Sequence, residues 1–293
     1  MKFRKHLFQL TLFVLPIISW SQNAYEYMGL VMLNDSTSIT YKISISEKNG
    51  AIKGYSLTDL GGEHETKSNI LGEYDQVNNE LSFRETSIIY TKSPVTQDDF
   101  CFINTTFKKF SFEKAKKIKA NFVGLFSDNT RCIDGQLFLN SVEKIEARMD
   151  KMVSKINKSS KVSDSTKQKM NALRLMDSLN LNILKKNQTL SVFSKSKKVS
   201  ITIYDGGKED GDKITIYANK KVVLNNYEAN KEKRIISLNL IDDKTSIVIK
   251  AENEGKIAPN TVIVEIEDSK NNIKALSNLK QGETTQIDFL KAH

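Results

Sequence analysis

Apolar and polar residues alternate along most of this chain. Ile39, Tyr41, Ile43 and Ile45 stand against Thr40, Lys42 and Ser44, a period of two that predicts a strand with one buried and one wet face. Similar runs recur near 25–33, 51–58, 68–75, 80–90, 99–106, 119–126 and 132–140, divided by turn pairs such as Asn34-Asp35, Asn49-Gly50, Gly61-Gly62 and Asn78-Asn79. Eight consecutive hairpin-linked strands predict a mainly β N-terminal domain over 22–140. Its form is an antiparallel meander or barrel, a shape that removes exposed edges. Strand number alone leaves open whether such a barrel is filled or encloses a small cavity.

The period changes after Ser141. Val142, Ile145, Met149, Met152 and Ile156 fall at helical spacing among charged residues, predicting an amphipathic helix with a narrow apolar stripe. A polar break at 157–166 follows, and Met170, Leu173 and Met176 predict a second helix, so 141–190 reads as a helical connector. Packing against a neighbour is the simpler role for its methionines, with a partner-binding face as the alternative. Over 191–293 the period returns to two, through Val199-Ile201-Ile203, Ile214-Ile216, Val222-Leu224, Ile236-Leu238-Leu240, Ile247-Ile249, Val262-Val264-Ile266 and Ile287-Phe289. Seven strands in this length predict an immunoglobulin-like β-sandwich.

The first residues stand apart from this pattern. Lys2, Arg4 and Lys5 precede an apolar run from Leu7 to Trp20 that ends in Ser19-Trp20-Ser21-Gln22. A basic start, a short apolar centre and small residues at the end predict a secretory signal peptide over 1–21, cleaved before Gln22. The run is shorter than the ~20 residues a spanning helix needs, and no later stretch predicts a transmembrane segment. The expected location is therefore secreted or periplasmic.

Charge is uneven. The formal net charge is +9, and removing the leader leaves +6. Residues 22–140 carry 13 Lys+Arg against 15 Asp+Glu, residues 141–190 carry 11 against 5, and residues 191–293 carry 17 against 15. All the excess lies in the connector, so the basic balance describes a linker and argues against a nucleic-acid partner. The two cysteines, Cys101 and Cys132, share the first domain. In an oxidising compartment such a pair predicts a disulfide, which closes a loop of about 30 residues and stabilises by ~3–4 kcal/mol on the chain-entropy model. Metal ligation and a nucleophilic role are the alternatives.

One polar cluster has site-like character: Asp205-Gly206-Gly207-Lys208-Glu209-Asp210-Gly211-Asp212, between two strands. Carboxylates spaced around glycines suit a hard cation, since Ca²⁺ takes ~6–8 oxygen ligands and glycine lets the backbone wrap. With alternating strand directions, this loop shares an end of the sandwich with those at 228–232 and 252–260, the latter bringing Glu252, Asn253, Glu254 and Asn260. Asp205, Asp210 and Asp212 are thus candidate metal ligands, and Glu252, Asn253 and Asn260 candidate binding residues. The spacing departs from the EF-hand loop. The plainer alternative makes the aspartates turn hydrogen-bonders and gives Gly206, Gly207 and Gly211 positive φ.

Signatures of catalysis are sparse. His64, in Glu63-His64-Glu65, is the one histidine besides His6 in the leader and the terminal His293, and it reads as a surface residue. Neither a Gly-x-Ser-x-Gly elbow, nor His-Glu-x-x-His, nor a phosphate-cradling Gly-x-x-x-x-Gly-Lys is present. Paired carboxylates from Glu63, Glu65, Glu73 and Glu85 keep a carbohydrate hydrolase among the alternatives.

The string Ile201-x-Ile203-Tyr204-Asp205-x-Gly207-x-x-Asp210-Gly211-Asp212-x-Ile214, followed by Tyr217-x-Asn219, Leu224 and Ala251-Glu252-Asn253-Glu254-Gly255-x-x-x-Pro259-Asn260-Thr261, resembles a domain common at the C-terminus of secreted envelope proteins of Bacteroidota-type bacteria. The likeness covers about 195–293. Gly54-Tyr55-Ser56-Leu57-Thr58-Asp59, with Glu65-Thr66-Lys67-Ser68 and Gly72, looks like an N-terminal β domain found with it. The resemblance implies an envelope location and β architecture, and no defined activity. The expectation is a non-enzymatic binding or structural protein that meets an envelope glycan or protein through the sandwich loops. A barrel carrier of a small apolar ligand is the runner-up.

Overall fold

The computed structural model describes residues 24–33, 37–94, 96–164, 166–167, 182–206 and 209–292. The expected leader, the expected turn at Asn34-Asp35, the expected second helix around Met170, Leu173 and Met176, and Gly207-Lys208 lie outside the described residues.

Eight strands build the N-terminal body: β1 (Tyr25–Leu33), β2 (Thr37–Lys48), β3 (Ala51–Thr58), β4 (Thr66–Asp75), β5 (Glu80–Thr91), β6 (Phe102–Phe107), β7 (Lys117–Leu125) and β8 (Arg131–Ser141). Each pairs antiparallel with the next, and β8 returns to β1 with Leu137 opposite Val31 and Leu139 opposite Gly29. The ring is a closed up-and-down barrel. Period-two alternation sends Tyr27, Val31, Tyr41, Ile43, Ile45, Ile52, Ile70, Leu81, Phe83, Phe107, Phe122, Leu137 and Leu139 into a single core. Phe110 and Phe112, from the connection between β6 and β7, close one end. Phe110 lies 6.0 Å from the rings of both Tyr27 and Tyr74, and Phe112 stacks 4.3 Å from Tyr25. Each such side chain contributes about 1.5–3 kcal/mol by burial, and together they occupy the barrel's interior.

The outer face of β2 is drier than alternation predicts. Lys42 and Ser44 are buried because their cross-strand partners are Leu57 and Tyr55 of β3, which pack outward into the sandwich core. The Lys42 ammonium lies 3.3 Å from Glu26.

Cys101 and Cys132 form the expected disulfide, with a Cα–Cα distance of 6.0 Å. The bridge runs from the start of β6 to β8 across the intervening β7, directly over Gly124. A Cβ there would collide with Cys101 Sγ and the Ile133 carbonyl, so glycine is what lets the disulfide cross the strand. Reduction is expected to cost about 3 kcal/mol, read as a lower urea midpoint with a steeper slope, because the freed chain exposes more surface on unfolding. Gly124→Ala is expected to lower the midpoint of the oxidised protein in the same direction.

Helix α1 (Val142–Lys158) follows β8 and touches β1 and β8. Its one buried residue is Val153, while Met152 is 47 % exposed. The stripe therefore runs Val142, Ile145, Met149, Val153, Ile156, and Met152 lies at its edge, a correction to the expected spacing.

Ten further strands follow: β9 (Asn182–Leu184), β10 (Thr189–Ser194), β11 (Lys198–Tyr204), β12 (Lys213–Ala218), β13 (Lys221–Glu228), β14 (Arg234–Asn239), β15 (Lys244–Ala251), β16 (Ile263–Glu267), β17 (Asn272–Ser277) and β18 (Thr284–Lys291). They make two five-stranded layers, β13-β12-β15-β18-β10 and β14-β11-β16-β17-β9. Ile201, Ile203, Val264 and Ile266 of one layer share a core with Ile214, Ile216, Ile247, Ile249 and Ile287 of the other. β9 and β10 lie wholly or partly before residue 191 and run parallel to β17 and β18. β10 also pairs antiparallel with the barrel strand β5, Ser191 opposite Thr91 and Val192 opposite Tyr90. The barrel and one sandwich layer are thereby a continuous sheet of thirteen strands.

Candidate functional site

Three connections meet at one end of the sandwich: 205–212 between β11 and β12, 229–233 between β13 and β14, and 252–262 between β15 and β16. Backbone bonds join them. Asp205 N donates to Asn230 O at 2.8 Å, Ala229 N to Asp212 O at 2.9 Å, and Lys256 N to Asp210 O at 2.9 Å. Alternation of strand direction along the chain produces this convergence, because each of the three connections leaves a strand that ends on the same side.

Side chains lock the arrangement. Asn253 accepts from Lys213 N at 2.6 Å through Oδ1 and donates to Gly211 O at 2.8 Å through Nδ2. Asn260, fully buried, donates to Lys213 O at 3.2 Å and Asn253 O at 3.1 Å. Asp210 and Asp212 each spend one carboxylate oxygen on the 252–262 loop: Asp210 Oδ2 accepts from Ile257 N at 2.9 Å and Asp212 Oδ2 from Thr261 N at 2.7 Å.

The other oxygens of the two aspartates converge. Gly255 has φ +59°, and a Cβ built on it would lie 2.7 Å from Asp210 Oδ1 and 2.8 Å from Asp212 Oδ1. Glycine at 255 thus supplies the left-handed backbone and leaves the space between the carboxylates open. Asp205, Asp210 and Asp212 are all buried, at 4 %, 9 % and 1 % exposure. Burial pushes the Asp212 carboxyl up to about 6, and the charges of Asp210, Asp205 and Glu254 push the same way, against the Thr261 amide bond. No Lys or Arg among the described residues forms an ion pair with Asp210 or Asp212.

The remaining expected residues divide. Asn253 and Asn260 belong to this cluster. Glu252 turns aside: its carboxylate takes both contacts from Lys250, at 3.0 and 3.2 Å, and the Thr215 hydroxyl, then Lys250, hold it below the usual range. Gly211 has the expected positive φ, at +91°. Gly206 does not; lacking a Cβ, it makes room for the Ile263 side chain. Gly255 enters the sequence reading only as a member of the Ala251–Thr261 string, with no role between the carboxylates assigned to it. Thr261 and Ile257 act through backbone amides and carry no sequence signal.

The carboxylates considered for hydrolysis lie elsewhere. Glu63 and Glu73 are exposed, Glu73 on the rim of a wide groove in the barrel wall with Leu71, Arg84, Lys119 and Phe138. That groove is walled mainly by outward strand residues, with the core rings of Phe83 and Phe122 at its floor. Glu65 and Glu85 are buried, with both oxygens of each engaged by protein hydrogen bonds. His64 is exposed, its Nδ1 3.2 Å from Ser93 Oγ.

In comparisons with known proteins, no family model, no curated protein and no solved structure matches this chain.

Proposed function

We propose that this chain is a secreted or periplasmic, non-enzymatic protein of the bacterial envelope that works by contact, presenting the loop end of its C-terminal sandwich to a glycan or protein partner. The observation that carries this reading is the rigidity of that end. Three loops are tied by backbone bonds and by Asn253, Asn260, Asp210 and Asp212, so their outer residues stand in fixed positions. Among them Ile257 is 56 % exposed while its backbone is held by Asp210, and Glu209, Lys231 and Lys256 of the same three loops are exposed as well. A preorganised apolar residue in a polar rim is the arrangement that binds without a large ordering cost. The leader-like N-terminus and the disulfide support the location.

The test is retention of purified protein by immobilised envelope polysaccharide and by envelope protein fractions. Wild type is expected to be retained by one of them, and Ile257→Asp to weaken retention at least tenfold with an unchanged melting temperature. Failure of wild type to bind either fraction, or equal binding by the variant, would defeat the proposal.

A further inference from the structure

The geometry points to a Ca²⁺ site at the sandwich loop end, in which Asp210 Oδ1 and Asp212 Oδ1 grip the ion beside Gly255. It deepens the contact reading above by naming what holds the contact loops together.

The starting point is an imbalance in hydrogen bonding. Asp212 is 1 % exposed, and its Oδ1 has no hydrogen-bond partner among the described residues; the same is true of Oδ1 of the fully buried Asn260. A buried polar atom without a partner costs about 1–3 kcal/mol, and more when charged. Such atoms are rare in folded proteins and call for an explanation. Asp212 Oδ1 faces the space beside Gly255 that Asp210 Oδ1 also faces. Two carboxylate oxygens aimed at one space repel in the absence of a cation, and the charges of Asp205 and Glu254 act on Asp212 in the same sense. A cation in that space would attract each of these carboxylates and offset their mutual repulsion.

The choice of cation follows from the donor set. All of its members are oxygens, which suits a hard ion. No three His, Cys, Asp or Glu side chains among the described residues are arranged to hold a metal unaided. Two carboxylates completed by water are therefore the set available. Ca²⁺ accepts such a mixed set in flexible geometry, whereas Mg²⁺ demands a near-ideal octahedron. Few charged ligands also place the expected affinity in the weak range of extracellular modules, Kd on the order of 0.1–1 mM.

The effect on the fold is specific. Asp210 and Asp212 reach across to Ile257 N and Thr261 N, so an ion bound between them would fasten the first loop to the third. The exposed Ile257 would be held by the same ion.

The test is calorimetric titration of Ca²⁺ into chelator-treated full-chain protein, with melting curves at zero and 10 mM Ca²⁺. One equivalent should bind, and the melting temperature should rise by about 5 °C, the size that site linkage gives at this excess of ion. Asp212→Asn keeps an acceptor for Thr261 N and removes a charge. It is expected to lose the Ca²⁺-dependent rise while melting no lower than wild type without the ion. Asp268→Asn, in a turn where Ser194 and the amides of Lys270 and Asn271 occupy the carboxylate, should melt lower yet keep the full rise. Absence of heat and of a shift in wild type would overturn the site, as would a rise that survives in Asp212→Asn or a loss of ion-free stability in that variant. Because Ca²⁺ is the sole ligand used, these outcomes are independent of whether any envelope partner is found.

Discussion

Glu85→Ala is expected to destabilise the protein by about 3–5 kcal/mol. Glu85 is 4 % exposed inside the barrel. Its Oε1 accepts from Tyr41 OH at 2.9 Å and Ser56 Oγ at 2.5 Å, and its Oε2 from Ile103 N at 2.8 Å. Truncation leaves three buried donors without an acceptor, each costing about 1–3 kcal/mol, and opens a void beside Tyr41, Ser56 and Ile103. Glu85→Gln is a different experiment, since the amide fits the same volume and keeps an oxygen for Tyr41 and Ser56. Burial raises the Glu85 carboxyl above its ordinary 4.5, and the three donors only partly oppose this. A carboxyl whose folded pKa is raised favours folding when protonated. Its contribution is fully present below the unfolded value and is lost as pH rises through the folded one. Wild type should therefore lose stability relative to Glu85→Gln as pH rises from about 4.5 toward neutral. Urea unfolding of both proteins across that range measures the difference directly, because other titrating groups cancel. A pH-independent difference would refute the buried carboxyl's role.

The second large effect belongs to Glu65, and it should change the form of unfolding as well as its midpoint. Glu65 Oε1 accepts from Tyr90 OH at 2.9 Å and from Asn182 Nδ2 of β9 at 3.0 Å; Oε2 accepts from Gly61 N at 2.6 Å and lies 3.8 Å from Lys92 Nζ. Lys92, whose side chain is 1 % exposed, also donates to Ile183 O at 3.1 Å. Burial lowers the Lys92 ammonium, and Glu65 opposes that shift. Glu65→Ala strands this cation, at a cost of about 3–5 kcal/mol. The network joins barrel residues to β9 of the sandwich, so its loss is expected to separate one cooperative transition into two, seen as non-coincident melting by far-ultraviolet circular dichroism and by tyrosine absorbance. Lys92→Met in the Glu65→Gln background should recover part of the loss, a coupling that a double-mutant cycle measures. A single coincident transition in Glu65→Ala would show that apolar contacts alone join the two bodies.

Most of the barrel was legible from alternation, since strands β1 to β8 each have enough length for a period of two to show. The sandwich was less so, and the reason differs by strand. β9 has three residues, too few for any period, and β17 places Ala275 where a larger apolar residue would mark the pattern. Glu85 was legible in retrospect: Leu81, Phe83 and Glu85 share one parity in β5, which puts the carboxylate on the inward face. Glu65 was not, because it precedes β4 in an irregular stretch where no period exists. At the loop end, the spacing of Asp205, Asp210 and Asp212 marks a loop whose three aspartates the structure buries, and strand direction brings the 252–260 loop to it. What spacing does not encode is which oxygen each aspartate has left over, or that Glu252 turns to Lys250.

The short seam between β5 and β10 bears on how a captured partner would be held. Two β bodies joined by a flexible tether sample many attitudes, and whatever one end grips drifts relative to the other. Here a stave of the barrel hydrogen-bonds to a strand of the sandwich through Ser191 and Val192, with Tyr90 and Leu57 wedged into the neighbouring core. Reorientation would require breaking main-chain pairing. The attitude of the sandwich to the barrel is therefore written into main-chain pairing as well as into side-chain packing.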